Sequence, residues 1–205
     1  MGRSRAGGGR KVAASAAPPD LEIHRVTRSR WRDLERLFGP RGACGGCWCM
    51  YWRLKRAEFE KNKGAGNRRT LKRIVESGAV PGLLAYSAGE PVGWCALAPR
   101  EELAVLERSR VLQRVDHQPV WSVVCFYITR PHRGRGLSLA LLRAAAEEAR
   151  RRGARILEGY PIDPKSGRTA DVFVWTGLAS TFRRAGFREA VRRSPTRPIM
   201  RLLIR

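Results

Sequence analysis

Apolar and polar residues alternate over residues 21–27, LEIHRVT, which is the period of a half-buried strand. The period then lengthens: Trp31, Leu34, Leu37 and Phe38 fall on one face of a helix over 28–39, and Gly39-Pro40 stops it. An irregular stretch, RGACGGCWCMYW, separates this helix from a short one over 67–79. Residues 81–99 read as a hairpin of two apolar strands about Gly89, with Pro91 at the entry of the second. A helical pattern over 101–112 and a strand over 119–129 follow. Next comes an amphipathic helix over 138–153, its apolar stripe made by Leu137, Leu141, Leu142 and Ala145 and its stop by Gly153. A strand over 154–161, a short helix over 177–187 and an antiparallel pair over 188–194 and 197–204 complete the chain. No segment repeats. This order predicts one mixed α/β domain over 20–205 with a mostly antiparallel central sheet and flanking helices.

Composition adds a tail and a charge. Residues 1–19 are small, basic and without an acid or an apolar period, and are expected to be a disordered basic tail, although the same composition would serve a transit peptide. The 41 Lys+Arg against 18 Asp+Glu give a formal charge of +23, which attracts acidic small molecules, nucleic acid or anionic membrane surfaces. Of the basic residues 35 are arginine, spread along the chain rather than gathered in one block, as a GC-rich genome would also produce. No apolar run approaches the roughly 18 residues of a membrane span and no secretory segment follows Met1, so a soluble, cytoplasmic protein is expected. Five cysteines in such a compartment do not suggest a disulfide framework.

The chemistry concentrates at the junction FYITRPHRGRGLSLALLRAAAEEARRRGA, residues 126–154. A strand that enters a helix through RGRGLS directs several backbone N–H groups and the positive helix end at one spot. Gly134 and Gly136 allow close approach of a ligand, and Arg133 and Arg135 add charge. An anion, usually a phosphate, suits such a turn. It is not a Walker loop, because no G-K-[ST] follows, nor the dinucleotide G-x-G-x-x-G, because Leu139 stands at the third glycine.

This junction and the order of elements resemble the GNAT superfamily of acyl-CoA-dependent N-acetyltransferases. The family's loop [Q/R]-x-x-G-x-[G/A] falls on Arg133, Gly136 and Ser138, where Ser replaces the last small residue, and TFRRAGF resembles its second landmark. The resemblance covers roughly 21–205. It implies a splayed central strand that binds coenzyme A, with the pyrophosphate on the N–H groups of Gly134, Arg135, Gly136, Leu137 and Ser138 and the pantetheine arm paired with Phe126 and Ile128. Arg130 or Arg155 would reach the ribose phosphate. Acetyl-CoA is the implied co-substrate, a primary amine the acceptor and a homodimer one assembly the fold allows; no metal is expected.

Acetyl transfer requires an amine that loses a proton, donors for the carbonyl oxygen and a proton for the leaving thiolate. N–H groups near Ile128 can polarise the carbonyl. The Tyr that many relatives carry falls on Phe182, and a base Glu on the central strand falls on Ser122, so both usual groups are replaced. Glu158 as base and Tyr160 as acid, two apart on one strand face, are the substitutes, with Asp171 and His117 as loop alternatives and bulk water as another acid. His24 reads as structural and His132 as facing solvent or phosphate.

In GACGGCWCMYWR, Cys44, Cys47 and Cys49 form C-x-x-C-x-C without a second pair, which weakens a zinc reading. Trp48, Met50, Tyr51 and Trp52 are the expected acceptor-pocket wall, extended by Trp94, Trp121 and Trp175, with half of them equally suited to core packing. The positive field disfavours a polyamine and suits an amine that carries its own anion, or an aminoacyl-RNA end. The chain is therefore expected to acetylate a small-molecule amine; acetylation of a tRNA-borne or protein amine docked on the basic surface, and a CoA- or RNA-binding module without turnover, are the alternatives.

Overall fold

A computed structural model describes residues 18–164 and 174–205. Residues 1–17 of the expected tail, and the candidate Asp171, lie outside the described residues.

The elements are β1 (Glu22–Arg25), α1 (Trp31–Phe38), α2 (Arg56–Lys61), α3 (Ala65–Glu76), β2 (Gly82–Ser87), β3 (Glu90–Pro99), α4 (Ala104–Glu107), β4 (Trp121–Ile128), α5 (Leu137–Arg151), β5 (Ile156–Gly159), α6 (Ala179–Arg184), β6 (Arg188–Arg192) and β7 (Pro198–Leu203). Seven strands form one sheet in the order β1-β2-β3-β4-β5-β7-β6. Every neighbouring pair is antiparallel except β4 and β5. Among the described residues no helix is long and apolar enough to cross a membrane.

Strand alternation divides the core into two layers. On one face Leu84, Trp94, Ala96 and Val124 meet α1, α3 and the cysteine-tryptophan segment. On the other, Leu83, Cys95, Leu97 and Phe126 meet the apolar stripe of α5 and Phe182 of α6.

One expectation is corrected. The helix expected over 101–112 is a 3-10 turn (Arg100–Glu102) followed by the single turn α4. The cause is Arg100, whose side chain is 1% exposed. Its Nη2 donates to the Leu106 and Leu112 carbonyls at 3.3 and 2.7 Å, and a continuous helix could not turn both oxygens inward. The irregular stretch stands, and α2 lies between it and α3, where the sequence shows no helical period because Phe59 alone of its residues is buried.

β4 carries the feature that positions the site. β3 pairs Ala96 with Cys125 but Leu97 with Val123, so Val124 is an extra residue on β4. A bulge of this kind bends its strand and sharpens the twist. The parallel pairing of β4 with β5 runs only through Trp121–Leu157, Ser122–Glu158 and Val123–Gly159. It stops where the bulge begins, and the two strands part into a V.

One charged seam ties β1 to α5. Glu148 is fully buried, and its carboxylate accepts from Arg25 at 2.7 Å, Arg151 at 2.8 Å and Arg152 at 3.1 Å. Burial pushes its carboxyl up, but the three guanidinium groups outweigh this and hold it below the ordinary range. A depressed folded value means that this stabilisation is complete above the unfolded value of about 4.3 and is lost as pH falls through the folded one. We expect Glu148→Gln to cost about 1–2 kcal/mol at pH 7. In thermal melts the gap to the wild type should narrow toward pH 3; a gap independent of pH would contradict the assignment.

Candidate active site

The turn between β4 and α5 stands at the mouth of the V. Gly134 and Gly136 have φ of +73° and +74°, the left-handed region in which any other L-residue is strained. A Cβ at Gly134 would meet nothing within 4 Å, so the loop is open on its outer side. α5 begins directly after Gly136, without a side-chain cap or an acid in its first turn. Its first internal bonds are donated by Leu139 and Ala140 to the Gly136 carbonyl. Among the described residues no carbonyl accepts from the N–H groups of residues 134–138. Five adjacent donors and a positive helix end therefore face outward together, an arrangement that fits a pyrophosphate. Arg135 is exposed beside them, Arg133 Nε donates to the Ile128 carbonyl at 3.1 Å, and Leu137, 1% exposed, seats the helix on the sheet with Ser138 half-buried behind it. His132 bonds Thr129 Oγ1 at 2.9 Å, which holds the turn together.

On β4 the Thr129 N–H donates to the Val92 carbonyl across the β3 ladder. The alternation of an antiparallel strand then points the Phe126 and Ile128 N–H groups into the V. Among the described residues the Ile128 N–H has no backbone acceptor, but that of Phe126 donates to the Trp175 carbonyl at 2.7 Å. The segment after β5 thus occupies one of the two expected donor positions.

At the apex of the V the structure brings Ser122, Glu158 and Tyr160 together. Ser122 Oγ and Glu158 Oε1 each lie 2.8 Å from the Tyr160 hydroxyl. Arg100 Nη1 donates to that hydroxyl at 2.9 Å and to Glu158 at 3.2 Å, while Arg201 Nε holds the other Glu158 oxygen at 2.7 Å. Arg201 continues to Asp116 at 2.5 and 3.0 Å, and Arg100 to Glu107 at 2.8 Å. Burial, and then the Glu158 carboxylate, push the Tyr160 phenol far above its ordinary value. Ser122, Glu158 and Tyr160 are all 0% exposed, so the side chains expected as base and acid are committed to one another and sealed from solvent. Sequence reasoning missed Arg100, Arg201 and Asp116, because no spacing links residues brought together from three separate segments.

Phe182, at the position where relatives carry a tyrosine, is also 0% exposed. Its ring meets Phe126 and Phe187 edge-on at 6.2 and 5.0 Å and covers Gly159, where a Cβ would stand 2.0 Å from it. A hydroxyl there would enter an apolar layer.

The expected acceptor wall divides. Trp48 and Met50 are core: Trp48 stacks on Trp31 and meets Phe38 edge-on. Tyr51 is 42% exposed and joins Trp52 and Trp175 at 5.2 and 5.4 Å between ring centres. Trp94 is fully buried with its Nε1 donating to Cys49 at 2.9 Å, and Trp121 packs on the α5 layer. Cys44 is exposed, Cys47 half-buried and Cys49 buried, and among the described residues no group of three or more His, Cys, Asp or Glu side chains could hold a metal ion. His24 bonds Glu22 at the surface, and His117 is exposed.

Comparison with known proteins agrees with this geometry. The model of the Acetyltransferase (GNAT) family matches residues 48–162, more than half of the chain. No curated protein matches the sequence. Among solved structures, the paiA N-acetyltransferase of Thermoplasma acidophilum in complex with coenzyme A is similar at TM-score 0.51 and 13% identity, over 89% of this chain and 98% of that one. An agmatine N-acetyltransferase, as a mutant apo form, is similar at TM-score 0.54 and 14% identity, over 90% and 99%. A putative arylalkylamine N-acetyltransferase from the mosquito Aedes aegypti gives 0.51 and 14%, over 90% and 88%.

The polar apex should be structural in the first place. We expect Glu158→Ala to cost about 2–3 kcal/mol by removing the carboxylate that Arg100, Arg201 and Tyr160 share, Arg100 keeping Glu107 and Arg201 keeping Asp116, and Tyr160→Phe about 1–3 kcal/mol. Urea unfolding checks both; a Glu158→Ala midpoint equal to the wild type would contradict the network.

Proposed function

This chain belongs to the GNAT acetyltransferase family, and we propose that it moves an acetyl group from acetyl-CoA to the primary amine of a small molecule by direct attack in a ternary complex. The observation that carries the reading is the row of five outward N–H groups at 134–138, set where β4 and β5 part. These groups would hold the pyrophosphate, with Arg135 adding charge. Acetyl-CoA supplies the acetyl thioester, in which a new N–C bond replaces C–S and the proton the amine loses matches the one the thiolate gains.

The open Ile128 N–H is the donor available to the pantetheine arm or to the carbonyl oxygen. The Phe126 N–H is taken by the Trp175 carbonyl. Tyr51, the exposed member of the aromatic wall, faces the acceptor side with Trp52 and Trp175 behind it.

Ser122, Glu158 and Tyr160 position the parting strands, and the protons of the reaction pass to and from water. The Glu158 carboxylate is fully buried with its oxygens on Arg100, Arg201 and Tyr160, out of reach of an amine, and a phenol with a strongly raised pKa is a poor acid at neutral pH. Glu158→Gln and Tyr160→Phe should therefore lower kcat without removing either limb of its pH profile. Loss of a limb in one variant would assign proton transfer to that residue.

The central test is thiol release from acetyl-CoA over an amine panel. Gly136→Glu sets a carboxylate among the phosphate donors and strains a position at φ +74°. It should lower kcat/KM for acetyl-CoA roughly 100-fold or more, with Gly136→Ala, which keeps the strain and lacks the charge, in between. Equal values for the glutamate variant and the wild type would remove the loop from the donor site.

A further inference from the structure

Resting on this acetyl-transfer reading, we propose that Arg197 is the specificity residue of the acceptor site, and that the acceptor is an amine bearing a carboxylate, such as an α-amino acid, rather than a plain alkyl- or arylalkylamine.

Arg197 ends the turn between β6 and β7, where Pro198 follows and keeps its backbone extended. Its side chain is half-buried. Nη1 donates to Thr176 Oγ1 at 3.0 Å, and Thr176 is itself fully buried, so the guanidinium is held from a fixed point. Among the described residues the Nε and Nη2 edge has no acceptor, and no carboxylate lies within ion-pair distance of it. That edge is the pair of parallel N–H donors that matches a carboxylate in bidentate geometry.

The surroundings make this arginine unusual. Acids are scarce in a chain with a charge of +23, yet its neighbours are supplied: Arg192 holds Asp163 and Glu189, and Arg201 holds Glu158 and Asp116. Burial disfavours the charge of Arg197. A half-buried cation with no counter-ion among the described residues is costly unless a ligand provides one.

Its place in the fold ties it to the acceptor side. Thr176 follows Trp175, whose carbonyl sits on the Phe126 N–H and whose ring lies 5.4 Å from Tyr51 and 5.5 Å from Trp52. An amine held by its carboxylate on Arg197 would therefore lie along an aromatic wall beside the opening of the V. The same cation repels a polyamine, which has no anion to offer.

The experiment uses the full chain, acetyl-CoA and matched pairs that differ only in the carboxylate: tryptophan and tryptamine, tyrosine and tyramine, arginine and agmatine. Thiol release should favour the carboxylated member of at least one pair by about tenfold or more in kcat/KM. Arg197→Gln should raise KM for that acceptor roughly 100-fold while changing its decarboxylated partner by less than about twofold; Arg197→Lys, which keeps the charge but not the fork, should fall between. Faster turnover of the decarboxylated amines by the wild type, or an unchanged KM in Arg197→Gln, overturns the proposal. Absence of thiol release from every amine overturns the transfer reading instead. Calorimetric titration of the CoA-saturated protein with the three amino acids then decides this one: binding that Arg197→Gln loses supports it, and no binding overturns it.

Discussion

One extra residue in a strand sets the geometry on which the rest depends. Val124 has no partner on β3, and the bulge it makes turns β4 away from β5 after three parallel pairs. Without that bend β4 would pair along its length and its N–H groups would be spent on a neighbouring strand. With it, the end of β4 carries donors into an opening, and the helix that follows begins with its own orphan N–H groups at the mouth of the same opening. Donor strand and phosphate cradle are thus two consequences of one local irregularity.

Parting two central strands leaves buried polar groups that must be satisfied. The Arg100–Tyr160–Glu158–Arg201 network does this at the apex, linking the loop after β3, the end of β5 and β7. At Glu158 the carboxylate meets the guanidinium groups of buried Arg100 and half-buried Arg201, whereas at Glu148 the carboxylate is the buried member and its three arginines reach it from the surface. Among the described residues the half-buried Arg197 has no carboxylate partner and is an exception. The tyrosine absent at the end of the chain is accounted for in the same terms, since Phe182 lies inside an apolar layer over Gly159 and has no path to the opening.

How much of this was legible in the sequence follows from the range of each interaction. The turn at Gly134 and Gly136, the stripe of α5 and the alternation of the strands are local, and their periods and glycines were readable directly. The residues of the 126–154 junction, together with the order of elements, carry the family resemblance. The helix over 101–112 failed because a single buried arginine, reaching carbonyls six and twelve residues ahead, overrode a good helical pattern. Glu158 and Tyr160 were found as a pair through strand alternation, but their burial under Arg100 and Arg201 depends on contacts across 40 to 60 residues of sequence. The Trp175 carbonyl on Phe126, and an Arg197 edge with no acceptor among the described residues, are backbone and geometric facts that no residue type announces.

The most direct measurement of the central claim is amide hydrogen exchange of the full chain with and without coenzyme A, resolved to single residues at the β4–α5 junction. The account expects slowed exchange at residues 134–138 and at Ile128, where N–H groups without backbone acceptors gain a partner. Protection confined to other parts of the chain, or none at saturating ligand, would contradict it.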